Sequence, residues 1–89
     1  ALYLLNFSIM KSKIELYTIE KVKERREQLD MKLTYFADCM NMSHQFISKI
    51  EDCDTDKAYN LDHLNDIAVL LECSIKDFFP DKPFKNNKK

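Results

Sequence analysis

The 89-residue chain contains no glycine, where an average composition of roughly 7% would place about six. Glycine-rich phosphate loops, of the Walker or the dinucleotide type, are thereby excluded, because they need a backbone without a Cβ beside the ligand. Left-handed turn positions fall instead to Asn and Asp, the next most tolerant residues. Tryptophan is also absent and proline occurs only twice. The longest apolar runs, Ala1–Leu5 and Ile67–Leu71, are too short to span a bilayer. Ala1–Met10 is apolar but has neither the basic start nor the small-residue cleavage site of a secretory signal. Three cysteines cannot pair off completely, so Cys39, Cys53 and Cys73 read as reduced thiols in a cytoplasmic protein.

What is present is an ordinary globular balance, 45% hydrophobic and 33% charged, on a scale that fits one small domain. The net charge of −1 conceals a segregated layout. Residues 10–50 are slightly basic and residues 51–81 strongly acidic, and four lysines stand in 82–89. A nucleic-acid binder usually advertises a basic face, and the overall charge does not supply one.

Apolar residues recur at the helical period. Ile19, Val22, Arg26 and Leu29 share one face of a stretch from Glu15 to Gln28. Leu33, Phe36, Ala37 and Met40 mark a second helix, with Asn41 at the place where a chain leaving a helix turns left-handed. Ser43 caps a third helix running to about Asp52, with Ile47 and Ile50 inward. Cys53–Asn60 is a polar loop. Asn60 caps a fourth helix with a stripe of Leu61, Leu64, Ile67, Ala68 and Leu71, and Ser74 caps a short fifth, Ile75–Phe79, stopped by Pro80. Only Leu2–Ser8 alternates like a strand. The expected architecture is an all-α, compact five-helix bundle. Its divisions are an N-terminal extension (1–13), a helical domain (14–80) and a lysine-rich tail (81–89) that frays. Residues 1–9 precede Met10, a candidate initiator.

Helices two and three carry the functional signal. A small residue at Ala37 lets them cross closely, Asn41 permits a three-residue turn, and Phe36, Met40, Ile47 and Ile50 fix the crossing angle. That spacing is a helix-turn-helix, which offers the outward residues at the start of its second helix to the DNA major groove. Here the chain resembles the Cro-like phage-repressor family, also called the xenobiotic-response-element (XRE) type, whose domain is of the lambda-repressor-like kind. The residues that carry the resemblance are Val22-x3-Arg26, Met31, Phe36-Ala37, Met40-Asn41-Met42-Ser43 and Phe46-Ile47-Ser48-x-Ile50-Glu51. They continue with Leu64-x2-Ile67-Ala68-x2-Leu71-x-Cys73-Ser74 and Phe78-Phe79, covering roughly residues 18–79.

The resemblance implies base contacts from His44, Gln45 and Lys49. The chemistry suits them: Gln pairs with adenine N6 and N7, Lys donates to guanine O6 and N7, and His donates to N7 or a phosphate. It further implies backbone or methyl contacts from Ser43, Ser48 and Phe46, and Arg26–Glu51 as a structural ion pair between helices one and three. Members are mostly bacterial and phage transcription regulators, often dimeric. A homodimer built through Phe78, Phe79 and Phe84 would set two recognition helices about 34 Å apart on an inverted repeat.

The chain also departs from the family. Lys32 and Leu33 stand where a capping Ser or Thr and a phosphate-binding Gln are usual, so Lys32 supplies the phosphate charge, or Thr34 caps a later start. Cys53 replaces a common glycine. Glu51, Asp52, Asp54 and Asp56 place four carboxylates where the family approaches the DNA backbone, leaving Thr55, Lys57 and Tyr59 to reach it.

Sharper chemical readings fail on spacing. Asp52-x-Asp54-x-Asp56 begins like a calcium loop but has Lys57 where a glycine is required and His63 where a bidentate Glu is required. Cys39, Cys53, Cys73, His44 and His63 include no C-x2-C or H-x3-H pair for zinc, and nothing assembles a Cys–His nucleophile. No cofactor, metal, membrane or small-molecule partner is expected, and no enzymatic activity. The sequence favours a sequence-specific DNA-binding transcription regulator. The alternative is a helix-turn-helix used mainly for protein contact, as in toxin–antitoxin or phage-control complexes, with weak DNA binding.

Overall fold

In the computed structural model, which describes residues 10–87, four α-helices and one turn of 3-10 helix make up the regular structure. They are α1 (Lys13–Gln28), α2 (Leu33–Cys39), α3 (His44–Glu51), α4 (Leu61–Leu70) and the 3-10 turn Ile75–Phe78. No strand occurs among the described residues, and the strand-like Leu2–Ser8 lies outside them. The class is all-α, but the count of five helices is corrected to four. Ser74 does cap the last turn, its hydroxyl accepting from the Lys76 amide at 3.1 Å. Pro80 follows so soon that only an i→i+3 turn fits between cap and stop.

Side-chain caps fix where helices begin. Ser12 and Glu15 form a capping box, the hydroxyl accepting from the Glu15 amide and the carboxylate from the Ser12 amide, which starts α1 at Lys13 rather than Glu15. Asn60 and His63 close a second box at α4, and Ser43 accepts from the Phe46 amide at α3. Lys32 precedes α2 without any side-chain cap, and Thr34 sits inside the first turn instead of capping a later start.

The ends of α1, α2 and α4 share one device. At each, the residue after the C-cap is left-handed: Asp30 (φ 54°), Asn41 (φ 57°) and Glu72 (φ 54°). The following amide reaches back to close the last turn: Met31 to Arg26 O, Met42 to Ala37 O, and Cys73 to Ala68 O. These are Schellman closures, usually built on glycine. A chain without glycine makes all three on Asp, Asn and Glu, and Glu is the one that composition did not suggest.

The core gathers Ile19 and Val22 of α1, Phe36 and Ala37 of α2, Ile47 and Ile50 of α3, Leu64, Ile67 and Ala68 of α4, together with Tyr59, Leu71 and Phe78. α2 packs on α3, α1 on α3 and the 3-10 turn, and α4 on that turn. Two residues leave their expected stripes. Leu29 is the exposed C-cap of α1, and Leu61, at the mouth of α4, is 71% exposed. The tail does not fray through residue 87. Asn87 accepts from the Lys13 and Ile14 amides at 3.1 and 2.9 Å, satisfying the free N–H groups that open α1, and Phe84 meets the Tyr17 ring edge-on at 6.0 Å.

Glu72→Gly relieves the left-handed strain and gives back part of the gain as unfolded-state entropy. It is expected to stabilise the domain by about 0.5–1 kcal/mol, read as a melting midpoint higher by roughly 2–8 °C.

Candidate nucleic-acid interface

Ala37, fully buried, brings α2 and α3 into close approach, and left-handed Asn41 turns the chain between them. Ser43 then opens α3 with a capped first turn. Ile47 and Ile50 anchor its inner face, so His44, Gln45, Ser48 and Lys49 stand outward together in solvent. Among the described residues, no hydrogen bond engages the Gln45 carboxamide and no carboxylate pairs with the Lys49 ammonium. Both are free to donate. His44 is not: its Nε2 lies 3.1 Å from Asp38 Oδ1, an exposed contact that bridges the end of α2 to the start of α3. A base approaching His44 through that nitrogen must displace or share a carboxylate.

Phe46 is half-buried and faces inward. Its ring meets His63 edge-on at 6.5 Å, and His63 meets Tyr59 at 6.2 Å, a ladder that ties α3 to the start of α4.

Arg26 and Glu51 define how α3 meets α1. Arg26 Nη2 donates to both Glu51 oxygens at 3.3 and 3.2 Å, and Nη1 donates to Met31 O at 3.1 Å. The two side chains are 8% and 13% exposed, so the pair is largely withdrawn from water. Beside it, Arg26 Nε and the Tyr59 hydroxyl are buried with no hydrogen-bond partner among the described residues. Burial and the neighbouring Glu51 carboxylate push the Tyr59 phenol above its ordinary range, offset in part by Arg26.

The surroundings of α3 spend several cations internally. The Lys11 side chain is 1% exposed, and its ammonium donates to Asp52 O, to Thr55 O at 2.6 Å and to Thr55 Oγ1 at 3.1 Å. The Thr55 hydroxyl in turn donates to Lys49 O. Thr55 is therefore corrected from a phosphate contact to an internal bracket, because its hydroxyl is committed at the C-terminal end of α3. Arg25 closes the end of α4, donating to Leu71 O and Glu72 O at 3.0 and 3.3 Å. Of the other cations near the helix-turn-helix, Lys32 and Lys57 are exposed, the latter 4.0 Å from Asp56.

The acidic loop begins at the C-cap of α3 and bends through an Asx turn, Asp54 N to Asp52 Oδ1 at 2.9 Å. Ligand-type atoms of Asp52, Cys53 and Asp54 gather within 4.8 Å of one another, all exposed. The three thiols are unpaired. Burial raises the Cys73 thiol above its usual range, with Arg25 opposing, which favours the unreactive protonated form.

The aromatic cluster proposed for dimer contact is redistributed. Phe78 is a core residue and Phe84 is half-buried against Tyr17, so only Phe79 keeps a position at the edge of the core. Lys11, Asp38 and Asn87 were not singled out for the roles they take. Lys11 and Asn87 act across more than forty residues of sequence, beyond any local pattern. Asp38 sits six residues from His44 across the turn, a spacing the helix-turn-helix geometry itself makes close.

Two crossed helices joined by a tight left-handed turn, with a solvent-facing polar row on the second, define a helix-turn-helix domain. The Cro/C1-type HTH DNA-binding domain matches residues 21–83, and the chain belongs to that family. No curated protein matches the sequence. Among solved structures, the hydroxypropylphosphonic acid epoxidase from S. wedmorenis is 26% identical with a TM-score of 0.63, over 74% of this chain and 34% of that one. A cobalt(II) form of HppE in complex with substrate reaches a TM-score of 0.68 at 23% identity, over 82% of this chain and 40% of that one. The chain thus spans little more than a third of the length of these relatives.

Two measurements probe the buried pair and its neighbour. Arg26→Ala or Glu51→Ala alone is expected to cost about 3–5 kcal/mol in chemical denaturation, since each strands the other charge, and the double variant less than their sum. For Tyr59, the folded state holds its proton more tightly than the unfolded chain, so stability is present below the ordinary tyrosine value and lost as pH rises above it. Wild-type stability is expected to fall relative to Tyr59→Phe by about 1.4 kcal/mol per pH unit above roughly pH 10, with Tyr59→Phe neutral or stabilising at pH 7.

Proposed function

We propose that this protein is a non-catalytic, sequence-specific DNA-binding transcription regulator of the cytoplasm that inserts α3 into the major groove. The observation that carries the reading is the free outward pair of Gln45 and Lys49 on a capped, rigidly anchored α3 within a Cro/C1-type domain. Gln45 reads adenine through its carboxamide and Lys49 reads guanine. His44 contributes a weaker contact because Asp38 holds one of its nitrogens. Ser43, Ser48, Lys32 and Lys57 approach phosphates, and Thr34, exposed in the first turn of α2, does the same. A homodimer on an inverted repeat, meeting near Phe79, completes the reading.

A second reading has its own support. Lys11 is buried and Arg25 is engaged by the carbonyls that end α4, so neither widens a basic surface, and the acidic loop directly follows α3. These facts favour a domain whose α3 face meets a basic protein partner. The likeness to part of an epoxidase chain adds that the fold alone does not assign the ligand.

Operator selection from random duplexes followed by fluorescence anisotropy separates the two. A short palindrome is expected, with Gln45→Ala losing about 1–3 kcal/mol on it and little on random DNA. Selection of no sequence, or equal binding by Gln45→Ala and wild type, removes the DNA reading and leaves the protein-contact one.

A further inference from the structure

We propose that Lys11 is a positioning residue of the DNA-reading surface, holding the last turn of α3 and through it Lys49. This deepens the DNA reading and rests on it. Lys11 lies ten residues before the start of the family match at residue 21, so the device belongs to this chain's own flank. Its ammonium is buried and, among the described residues, meets no carboxylate; its acceptors there are the Asp52 carbonyl and the carbonyl and hydroxyl of Thr55. The Thr55 hydroxyl passes the contact on to Lys49 O. A relay therefore runs from Lys11 through Thr55 to the backbone of Lys49.

Two physical effects converge on that relay. The last carbonyls of a helix have no partner within it and carry the negative end of its dipole, which a cation stabilises. The loop that follows is acidic at Asp52, Asp54 and Asp56, and Lys11 is the buried cation that bonds its carbonyls, while Arg26 pairs with Glu51 just before it. With the ammonium in place the final turn of α3 is closed and the loop is tied to the segment that precedes α1. Without it, Thr55 O loses its donor and Asp52 O keeps only the Thr55 amide and hydroxyl, so the turn carrying Lys49 loosens. A displacement of that kind in a reading helix changes discrimination more than it changes general attraction to phosphate.

The test compares Lys11→Met, which keeps the stem and removes the charge, with Lys11→Arg and Thr55→Val, each checked for folding by circular dichroism. Hydrogen exchange follows the Asp52 and Thr55 amides, which bond Lys49 O and Asp52 O, against the Met42 amide at the end of α2 as a reference. Lys11→Met is expected to speed exchange of the first two about tenfold over the reference, and to weaken binding to the selected operator about tenfold while random duplex changes little. Lys11→Arg should restore both, and Thr55→Val should reproduce the loss even if Lys11→Met fails to fold. Unchanged relative exchange, or equal losses on operator and random duplex, overturns the positioning role. If wild type selects no operator, the DNA reading fails by itself, and the exchange rates alone decide whether Lys11 holds α3.

Discussion

One guanidinium sets how α3 meets the rest of the domain. Arg26, near the end of α1, takes both oxygens of Glu51 at the end of α3 and the Met31 carbonyl in the link to α2. Apolar burial is non-directional, so Ile47 and Ile50 would stay dry over a range of crossing angles. The planar fork accepts only one. Because neither charge can be left unpaired in that setting without a cost of several kcal/mol, α1, the α2 link and α3 assemble together. The unpartnered Arg26 Nε and Tyr59 hydroxyl beside it mark the cost of placing a charged fork so close to the core.

The domain's cations divide between structure and surface. Arg26, Arg25 and Lys11 are each consumed by carbonyls or a carboxylate at the ends of helices. In a chain with no glycine, helix ends are strained at three places, and long basic side chains that gather terminal carbonyls help hold two of them: Arg26 bonds Met31 O just past α1, and Arg25 bonds Leu71 O and Glu72 O at the end of α4. What composition counts as basic charge is thus partly internal scaffolding, and among the described residues the outward face of the helix-turn-helix keeps Lys32, Lys49 and Lys57 as exposed lysines.

Much of this was legible in the residues and some was not. Helical periodicity located α1 to α4 because their inner faces repeat Ile, Leu, Phe and Ala at three and four. Asn41, Ser43, Asn60 and Ser74 announced their turns and caps because short polar side chains have few other uses at such places. Leu61 misled, since an apolar residue at the first helical position continues the stripe on paper but points out before the helix reaches the core. The final turn misled because capping and propensity are local, whereas the room before Pro80 decides helix type. Lys11, Thr55 and Asn87 were invisible for a different reason: their partners lie more than forty residues away, or, for Thr55, reside in a carbonyl that no side-chain pattern encodes.

On the DNA reading, so few outward cations have a definite consequence. Salt-dependent affinity grows with the number of phosphates neutralised, and three lysines beside the three loop carboxylates Asp52, Asp54 and Asp56 neutralise few. Attraction to DNA in general is then slight, and the difference between sequences rests on base edges. The layout also opposes wrong poses. The capped N-terminal end of α3 carries the positive end of the helix dipole next to Gln45, while its C-terminal end leads into the acidic loop. A duplex that slides toward that loop meets like charge, and one that seats on the first turn does not. Repulsion at one end and hydrogen bonding at the other together fix the pose, so the acidity that weakens binding overall can sharpen its selectivity.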